Sequence, residues 1–343
     1  MSLLEVSDLR VGFDTEAGLL QAVDGVNFSL DAGQTLGIVG ESGCGKSVTS
    51  LTLLGLTRDE GTEISGRVSF EGRDLVAADE EELRAIRGSE MAMIFQDPLT
   101  SLHPYYKIGW QIVEGIVAHG ELSPDEAKKR AIDYLGLVGI PDPSRRFDEY
   151  PHEFSGGMRQ RAMIAMALVN EPKVLIADEP TTALDVTIQA QILRLLERLQ
   201  EEMKMAVIMI THDLGVVAEV SDSIMVMYAG RVVEQGTVDE IFYDPRHPYT
   251  WGLLGSLARA DRARSQRLSQ IEGQPPSLVS MPEGCSFRPR CPYAFDKCTR
   301  LPGLEARGDE GAHPDRCWLD PERKRELRVI GADDQIGLRE MAK

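Results

Sequence analysis

Over the first 235 or so residues, short runs of consecutive apolar residues alternate with stretches of helical periodicity. Leu36-Gly37-Ile38-Val39, Met91-Ala92-Met93-Ile94-Phe95, Val174-Leu175-Ile176-Ala177 and Ala206-Val207-Ile208-Met209-Ile210 are such runs. Their shortness and continuity predict strands buried on both faces, as in a parallel sheet. Ile224 to Met227, then Ala229-Gly230, then Arg231-Val232-Val233 predicts a hairpin with a glycine turn. Ile192, Leu195, Leu196, Leu199 and Met203 recur at three- and four-residue steps and predict a helix with one buried stripe. Residues 124–138 and 156–169 read as helices too. The stretch from about 97 to 157 has helical patterns and no good strand, so it reads as a helical insertion in an α/β core. After Gly236 the pattern changes. Residues 236–320 are rich in Pro, Arg and Cys with weak periodicity. They are expected to form an irregular extension held by something other than a large apolar core. The last twenty residues are charged and expected to be mobile. There is no internal repeat.

Composition narrows the class. A chain of 343 residues suggests two domains or a little more, with enough core to need no covalent staples. Asp plus Glu is 55 against 37 Lys plus Arg, a net charge of −18. That balance argues against a nucleic-acid binder and against direct docking on anionic lipid. The opening MSLLEVSDLR lacks the basic and apolar regions of a secretory signal, and no apolar run approaches a membrane span. The chain is therefore expected in the cytoplasm, with any link to a membrane running through a partner.

Two motifs carry chemistry. Gly40-Glu41-Ser42-Gly43-Cys44-Gly45-Lys46-Ser47 fits G-x-x-x-x-G-K-[ST] at every fixed position, after a predicted strand and before a predicted helix. Glycines let N–H groups turn inward around phosphates, and the helix N-terminus adds partial positive charge. Lys46 would reach the β- and γ-phosphates and Ser47 would hold Mg²⁺. The run Val174 to Ala177 ends in Asp178-Glu179, at the strand edge where ligands sit in such sheets. Asp178 would hold Mg²⁺ through water and Glu179 would polarise the attacking water. Together these predict a nucleoside triphosphatase. Separately, Cys285, Cys291, Cys298 and Cys317 fall within 33 residues, separated by five, six and eighteen residues. In a reducing compartment four such thiols suit a metal, either zinc or an iron–sulfur cluster. They lack the tight C-x-x-C pairs common in zinc sites and the ferredoxin run alike.

Phe154-Ser155-Gly156-Gly157-Met158-Arg159-Gln160-Arg161, 23 residues before Asp178, resembles the signature sequence of ATP-binding cassette proteins. The resemblance implies that Ser155, Gly156 and Gly157 close on ATP held by an opposing subunit. It makes Gln96 the Q-loop glutamine, a sensor of Mg²⁺ that couples the site to the helical insertion. His212 becomes the switch histidine on the γ-phosphate, and Ala183-Leu184-Asp185 the D-loop. Phe13 becomes the aromatic that stacks on adenine. Mg²⁺ is then shared by Ser47, Gln96 and Asp178. Met158 stands where glutamine is commoner, and Phe154 where leucine is. The implied fold is an α/β P-loop NTPase (RecA-like) cassette over residues 1–235, with a helical subdomain at about 97–157. Residues 236–343 form the Cys-rich extension.

A narrower resemblance is to the oligopeptide/dipeptide importer ATPases, D-type. It rests on Phe95-Gln96-Asp97-Pro98-Leu99-Thr100-Ser101-Leu102, on Ala177 to Val186, and on Asp244-Pro245-Arg246-His247-Pro248-Tyr249-Thr250. His247 and Tyr249 mark the family and read as a packed loop turn without chemistry. Some members of this subfamily carry a [4Fe-4S] cluster in a similar extension, which favours iron over zinc at Cys285, Cys291, Cys298 and Cys317. The implied function is ATP hydrolysis driving solute import, with peptides as cargo. Nickel, glutathione or oligosaccharide importers and soluble cassette ATPases are the alternatives. The implied partners are an F-type second ATPase, two permease subunits and an extracytoplasmic solute-binding protein. The implied place is the cytoplasmic face of the membrane, peripheral through the permeases, with no nucleic acid.

Overall fold

The computed structural model describes residues 2–120, 122–182, 184–256, 271–307 and 313–330. The chain forms two compact units, each built from separate segments. One comprises residues up to 4, 30–35 and 70–210. The other comprises 5–29, 36–69 and residues from 211 onward.

The first unit is organised by three parallel strands, Met91–Ile94, Val174–Asp178 and Ala206–Thr211. Met91 pairs with Val174, and Val174 in turn with Ala206. Every residue of Val174–Asp178 and Ala206–Thr211 is buried, as expected for strands covered on both faces. Parallel neighbours require long crossovers. The crossover out of Met91–Ile94 holds the helices Pro98–Ser101, Ile108–Val117, Pro124–Leu137, Pro143–Arg146 and Gly156–Leu168. The helix Pro124–Leu137 starts on a capping box between Ser123 and Glu126, with proline at its first position. The crossover out of Val174–Asp178 is the helix Val186–Met203, which buries Ile192, Leu193, Leu195, Leu196 and Leu199.

In the second unit, the strands Gly18–Leu30, Leu4–Thr15 and Thr62–Phe70 lie side by side in that order. Their buried and exposed positions alternate in part, and no continuous apolar run announces them. A second sheet joins Thr35–Val39 in parallel to Ser223–Tyr228, with Leu36 opposite Ser223. Ser223–Tyr228 turns back antiparallel into Arg231–Thr237. Ala229 (φ 48°) and Gly230 (φ 80°) form the turn, the positive-φ pair that two-residue hairpins favour.

The extension continues this sheet. Asp315 pairs with Glu234, and the short strand Pro314–Asp315 pairs with Glu305–Ala306. Its apolar residues are not the weak contributors that their lack of periodicity suggests. Ile241, Tyr249, Leu254 and Phe287 share one core with Val39, Ile224, Val226, Tyr228 and Val233. The rings of Tyr228, Tyr249 and Phe287 meet pairwise at 4.6–5.5 Å between centroids. Such a core escapes periodicity because its residues arrive from short separate segments: Ile241 from Val238–Tyr243, Tyr249 and Leu254 from Pro248–Gly255, and Phe287 from beyond them.

The charged terminus also departs from expectation. Pro321–Ile330 is a helix. Its Lys324 is buried, with Nζ 2.6 and 2.7 Å from the two carboxylate oxygens of fully buried Asp315. Residues 331–343 lie outside the described residues. Among the described residues, no helix is long and apolar enough to cross a membrane. Removing one partner of a buried pair leaves the other charge uncompensated, at a cost of about 3–5 kcal/mol. Lys324→Ala should therefore destabilise the extension by that order. Chemical denaturation, with hydrogen exchange over residues 321–330, checks it.

Candidate nucleotide site

The phosphate-binding loop follows the strand Thr35–Val39 and feeds the helix Lys46–Leu53. Two of its glycines are required by space. A Cβ at Gly40 would lie 2.2 Å from Met227 O and 2.7 Å from Cys44 Sγ, and one at Gly45 (φ 102°) 2.4 Å from Ala22 O. Gly45 is the residue that caps the helix, in left-handed conformation. Ser42, Gly43 and Ser47 are exposed. Lys46 is buried, and its Nζ donates to Gly40 O (2.7 Å) and Glu41 O (3.1 Å), with Cys44 Sγ at 3.8 Å. Burial pushes the Cys44 thiol up despite Lys46, so Cys44 packs as a neutral thiol. Phe13 is half-buried on the strand Leu4–Thr15. His212 is exposed, directly after the strand Ala206–Thr211. The next residue, Asp213, caps the helix Leu214–Val220 by accepting from Gly215 N–H at 2.8 Å.

In the other unit the structure brings Gln96 and Glu179 together. Asp178 ends the strand Val174–Asp178 and is buried. Glu179 sits at φ 48°, in the left-handed region, a conformation that costs a non-glycine residue about 1–3 kcal/mol and clusters at functional positions. Its Oε2 accepts from Gln96 Nε2 (2.9 Å) and from Thr182 Oγ1 (2.8 Å), and its N–H donates to Ile210 O (2.8 Å). Thr182 is a partner that sequence reasoning missed, although it lies only three residues on. Ser155 is exposed and caps the helix Gly156–Leu168, accepting from Met158 N–H at 3.3 Å. Gly156 and Gly157 open that helix. A Cβ at Gly157 would sit 3.1 Å from Ile188 Cγ2. Asp185 caps Val186–Met203 by accepting from the N–H groups of Thr187 (3.1 Å) and Ile188 (3.0 Å). Ala183 lies outside the described residues.

Two functional candidates were invisible to local sequence reading. Tyr249, fully buried, accepts a hydrogen bond from Glu41 N–H at 2.9 Å through its hydroxyl. Arg290 grips the Glu41 carboxylate through both terminal nitrogens, at 2.6 and 3.0 Å. The first partner is 208 residues away in sequence and the second 249, so no spacing rule could find them. His247 has the structural role its motif suggested: it caps the helix Pro248–Gly255, its Nδ1 accepting from Tyr249 N–H at 3.1 Å.

Cys285, Cys291, Cys298 and Cys317 border one small cavity, together with Phe287 and Trp318, and none forms a disulfide. Burial raises the thiols of Cys285, Cys291 (to about 11) and Cys317 (to about 12). Among the described residues, no three His, Cys, Asp or Glu side chains are placed to hold one metal ion. As placed, these side chains support neither the iron–sulfur cluster nor the zinc alternative.

The sequence matches the ABC transporter family model over residues 23–182, and the model of the oligopeptide/dipeptide transporter C-terminal region over 233–298. The fold matches the dimeric post-hydrolysis structure of the ATP-binding cassette MJ0796 bound to ADP and Pi. The TM-score is 0.62 at 27% identity, over 68% of this chain and 98% of that one. CbiO1 of Clostridium perfringens, part of the ABC transporter complex cbiONQ, matches at TM-score 0.60 and 31% identity, over 71% and 91%. These define an ATP-binding cassette ATPase, with the P-loop NTPase fold expected from the sequence. Among curated proteins, the oligopeptide transport ATP-binding protein OppD of Bacillus subtilis is 57% identical over 85% of this chain and 82% of its own length. The dipeptide transport ATP-binding protein DppD of the same organism is 51% identical over 96% and 98%. The chain belongs to this family of oligopeptide and dipeptide transport ATP-binding proteins.

One consequence for pH follows from His247. Burial, with Lys324 and Arg316 nearby, pushes its pKa from 6.5 down to about 3. The folded protein thus resists a proton that the unfolded chain accepts. Stability from this group is complete above about pH 6.5 and is lost as pH falls from there toward 3. Thermal midpoints should fall between pH 7 and pH 5. His247→Asn, which keeps a capping acceptor without the titration, should flatten that fall.

Proposed function

We propose that this chain is an ATP-hydrolysing motor subunit of a membrane importer whose cargo is peptides. The observation that carries the reading is the 51% identity to a dipeptide transport ATP-binding protein across 96% of the chain, extension included. The residue chemistry supports it. Lys46 exchanges its bonds to Gly40 O and Glu41 O for the phosphates of ATP. Glu179 orients the attacking water and takes up its proton. The Gln96–Glu179 bond holds this carboxylate in place. Gln96 would hold the metal through its amide oxygen, since its amide nitrogen is the donor to Glu179. His212 contacts the γ-phosphate. Ser47, Gln96 and Asp178 are oxygen donors, the set that magnesium prefers, and the ion supplies charge neutralisation on the phosphates. Catalysis of this kind is positioning plus electrostatic stabilisation.

The helix start at Ser155, Gly156 and Gly157, capped by its own serine, suits an anion from a second cassette. Asp185, at a neighbouring helix start, serves the D-loop in the same assembly. We assign the partner to an F-type cassette, and Phe13 to adenine stacking. The helical segment exposes Tyr105 (83%), Tyr106 (46%) and Trp110 (45%), the last two with stacked rings at 4.5 Å. That aromatic patch is the surface we assign to one of the two permease subunits. They would place the chain on the cytoplasmic face of the membrane and connect it to an extracytoplasmic solute-binding protein.

We further assign a [4Fe-4S] cluster to Cys285, Cys291, Cys298 and Cys317. The assignment rests on four unpaired thiols that border one cavity, since each cysteine of such a cluster binds a different iron. The cluster would act as a structural clip for the extension.

Glu179→Gln should lower ATP turnover about 10²–10⁴-fold while leaving ATP binding intact. Turnover at the wild-type rate removes Glu179 from its role. Protein purified without oxygen should contain about four irons and four acid-labile sulfides per chain. One zinc and no sulfide overturns the cluster assignment.

A further inference from the structure

We infer that Tyr249 and Arg290 of the C-terminal extension are positioning residues of the nucleotide site: they fix Glu41, the first variable residue of the phosphate-binding loop, and so set the loop's affinity for ATP. The inference rests on the ATP-binding reading above and adds the means by which the extension enters it.

Every polar group of Glu41 is engaged. Its N–H donates to the Tyr249 hydroxyl at 2.9 Å. Its C=O accepts from Lys46 Nζ at 3.1 Å. Its carboxylate takes the Arg290 fork at 2.6 and 3.0 Å, the bidentate geometry that fixes direction as well as distance. Arg290 is itself held rigidly. Its Nε donates to Glu272 O at 3.0 Å and its Nη2 to Ile271 O at 3.3 Å, while its guanidinium lies 5.8 Å from the centre of the Tyr228 ring. Its side chain is 5% exposed, against 27% for Glu41. Tyr249 is part of the apolar core, so its hydroxyl has a fixed position from which to hold the loop.

The three restraints behave differently when ATP arrives. Lys46 must release the Gly40 and Glu41 carbonyls to reach phosphate. Tyr249 and Arg290 hold other atoms of Glu41 and keep their grip. The loop entry thus stays in one conformation through the exchange, and less ordering is left for the nucleotide to accomplish. Arg290 has a second effect. A carboxylate at the first variable position of a phosphate-binding loop repels a polyphosphate. Arg290 neutralises that charge and holds it against the extension. Losing Arg290 therefore loosens the loop and also exposes a like charge to the ligand.

The test is Mg-ATP affinity of the purified full chain by titration calorimetry, with KM and kcat of hydrolysis measured alongside. Arg290→Ala should weaken ATP about ten- to thirtyfold, less than the loss from breaking a fully buried charge pair, because the Glu41 carboxylate is 27% exposed. Tyr249→Phe, which removes one hydrogen bond at constant shape, should weaken it about two- to tenfold. KM should follow the dissociation constant while kcat changes less than about twofold, the sign of lost binding rather than lost chemistry. Glu41→Ala/Arg290→Ala should bind ATP more tightly than Arg290→Ala alone, because the unpaired carboxylate is gone. A structural role for Arg290 predicts the opposite order. Should Arg290→Ala fail to fold, Arg290→Lys, which keeps the charge and loses the fork, should show a smaller loss of the same kind. Wild-type affinity in both Tyr249→Phe and the folded Arg290 variant overturns the inference. So does a double variant no better than Arg290→Ala. A wild-type chain that binds no ATP sinks the ATP reading itself and is recognised before any variant is compared.

Discussion

A phosphate-binding loop has to keep its N–H groups turned inward before any phosphate is present to attract them. Here the constraint is imposed by backbone on backbone. The chain at Gly40 passes so close to Met227 O that a Cβ would stand 2.2 Å from it, and at Gly45 the carbonyl of Ala22 leaves 2.4 Å. Gly230 N–H, at the turn of the neighbouring hairpin, donates to Cys44 O at 2.9 Å. The loop is wedged between two segments far apart in sequence, the strand at Ala22 and the hairpin from Met227 to Gly230. The glycines are the form in which it fits, and the helix Lys46–Leu53 starts where the wedge ends. The burial of Thr35–Val39 and the aromatic core behind it hold those segments at this spacing.

The carboxylate side obeys a related rule with different means. Glu179 takes a left-handed backbone where the chain leaves the strand Val174–Asp178, and its side chain is tied by Gln96 and Thr182. Strain in the backbone and two hydrogen bonds on the side chain fix one carboxylate orientation before anything binds. Preorganisation of this sort lets a polar group act without rearranging at the moment of reaction.

What could be read from the sequence was what local patterns encode. The runs at Leu36–Val39, Val174–Ala177 and Ala206–Ile210 are buried strands because both of their faces are covered, and no alternation is needed to see them. The loop residues Gly40 to Ser47 declare themselves because each fixed position answers a steric or electrostatic demand. The strands Leu4–Thr15, Gly18–Leu30 and Thr62–Phe70 were not legible, since only part of each is buried and polar residues interrupt the pattern. Nor was the core of the extension, to which Ile241, Tyr249, Leu254 and Phe287 come from three short segments. Buried charges add to that difficulty. Glu234, wholly buried, accepts from the N–H groups of Arg246 and His247, and Asp315 is matched by Lys324. By composition such residues read as surface, and only their partners reveal otherwise.

The bond between Glu41 and Tyr249 has a bearing on how the protein is made. The ribosome adds about 5–20 residues per second, and Arg290 lies 249 positions after Glu41. Some 12–50 s, by the same rough rate, separate synthesis of the loop from synthesis of its last anchor. Through that interval the nascent chain displays the complete nucleotide-binding motif with Glu41 unrestrained. The loop is finished by residues made 208 and 249 positions after it, so synthesis of the motif and maturation of its geometry are separate events.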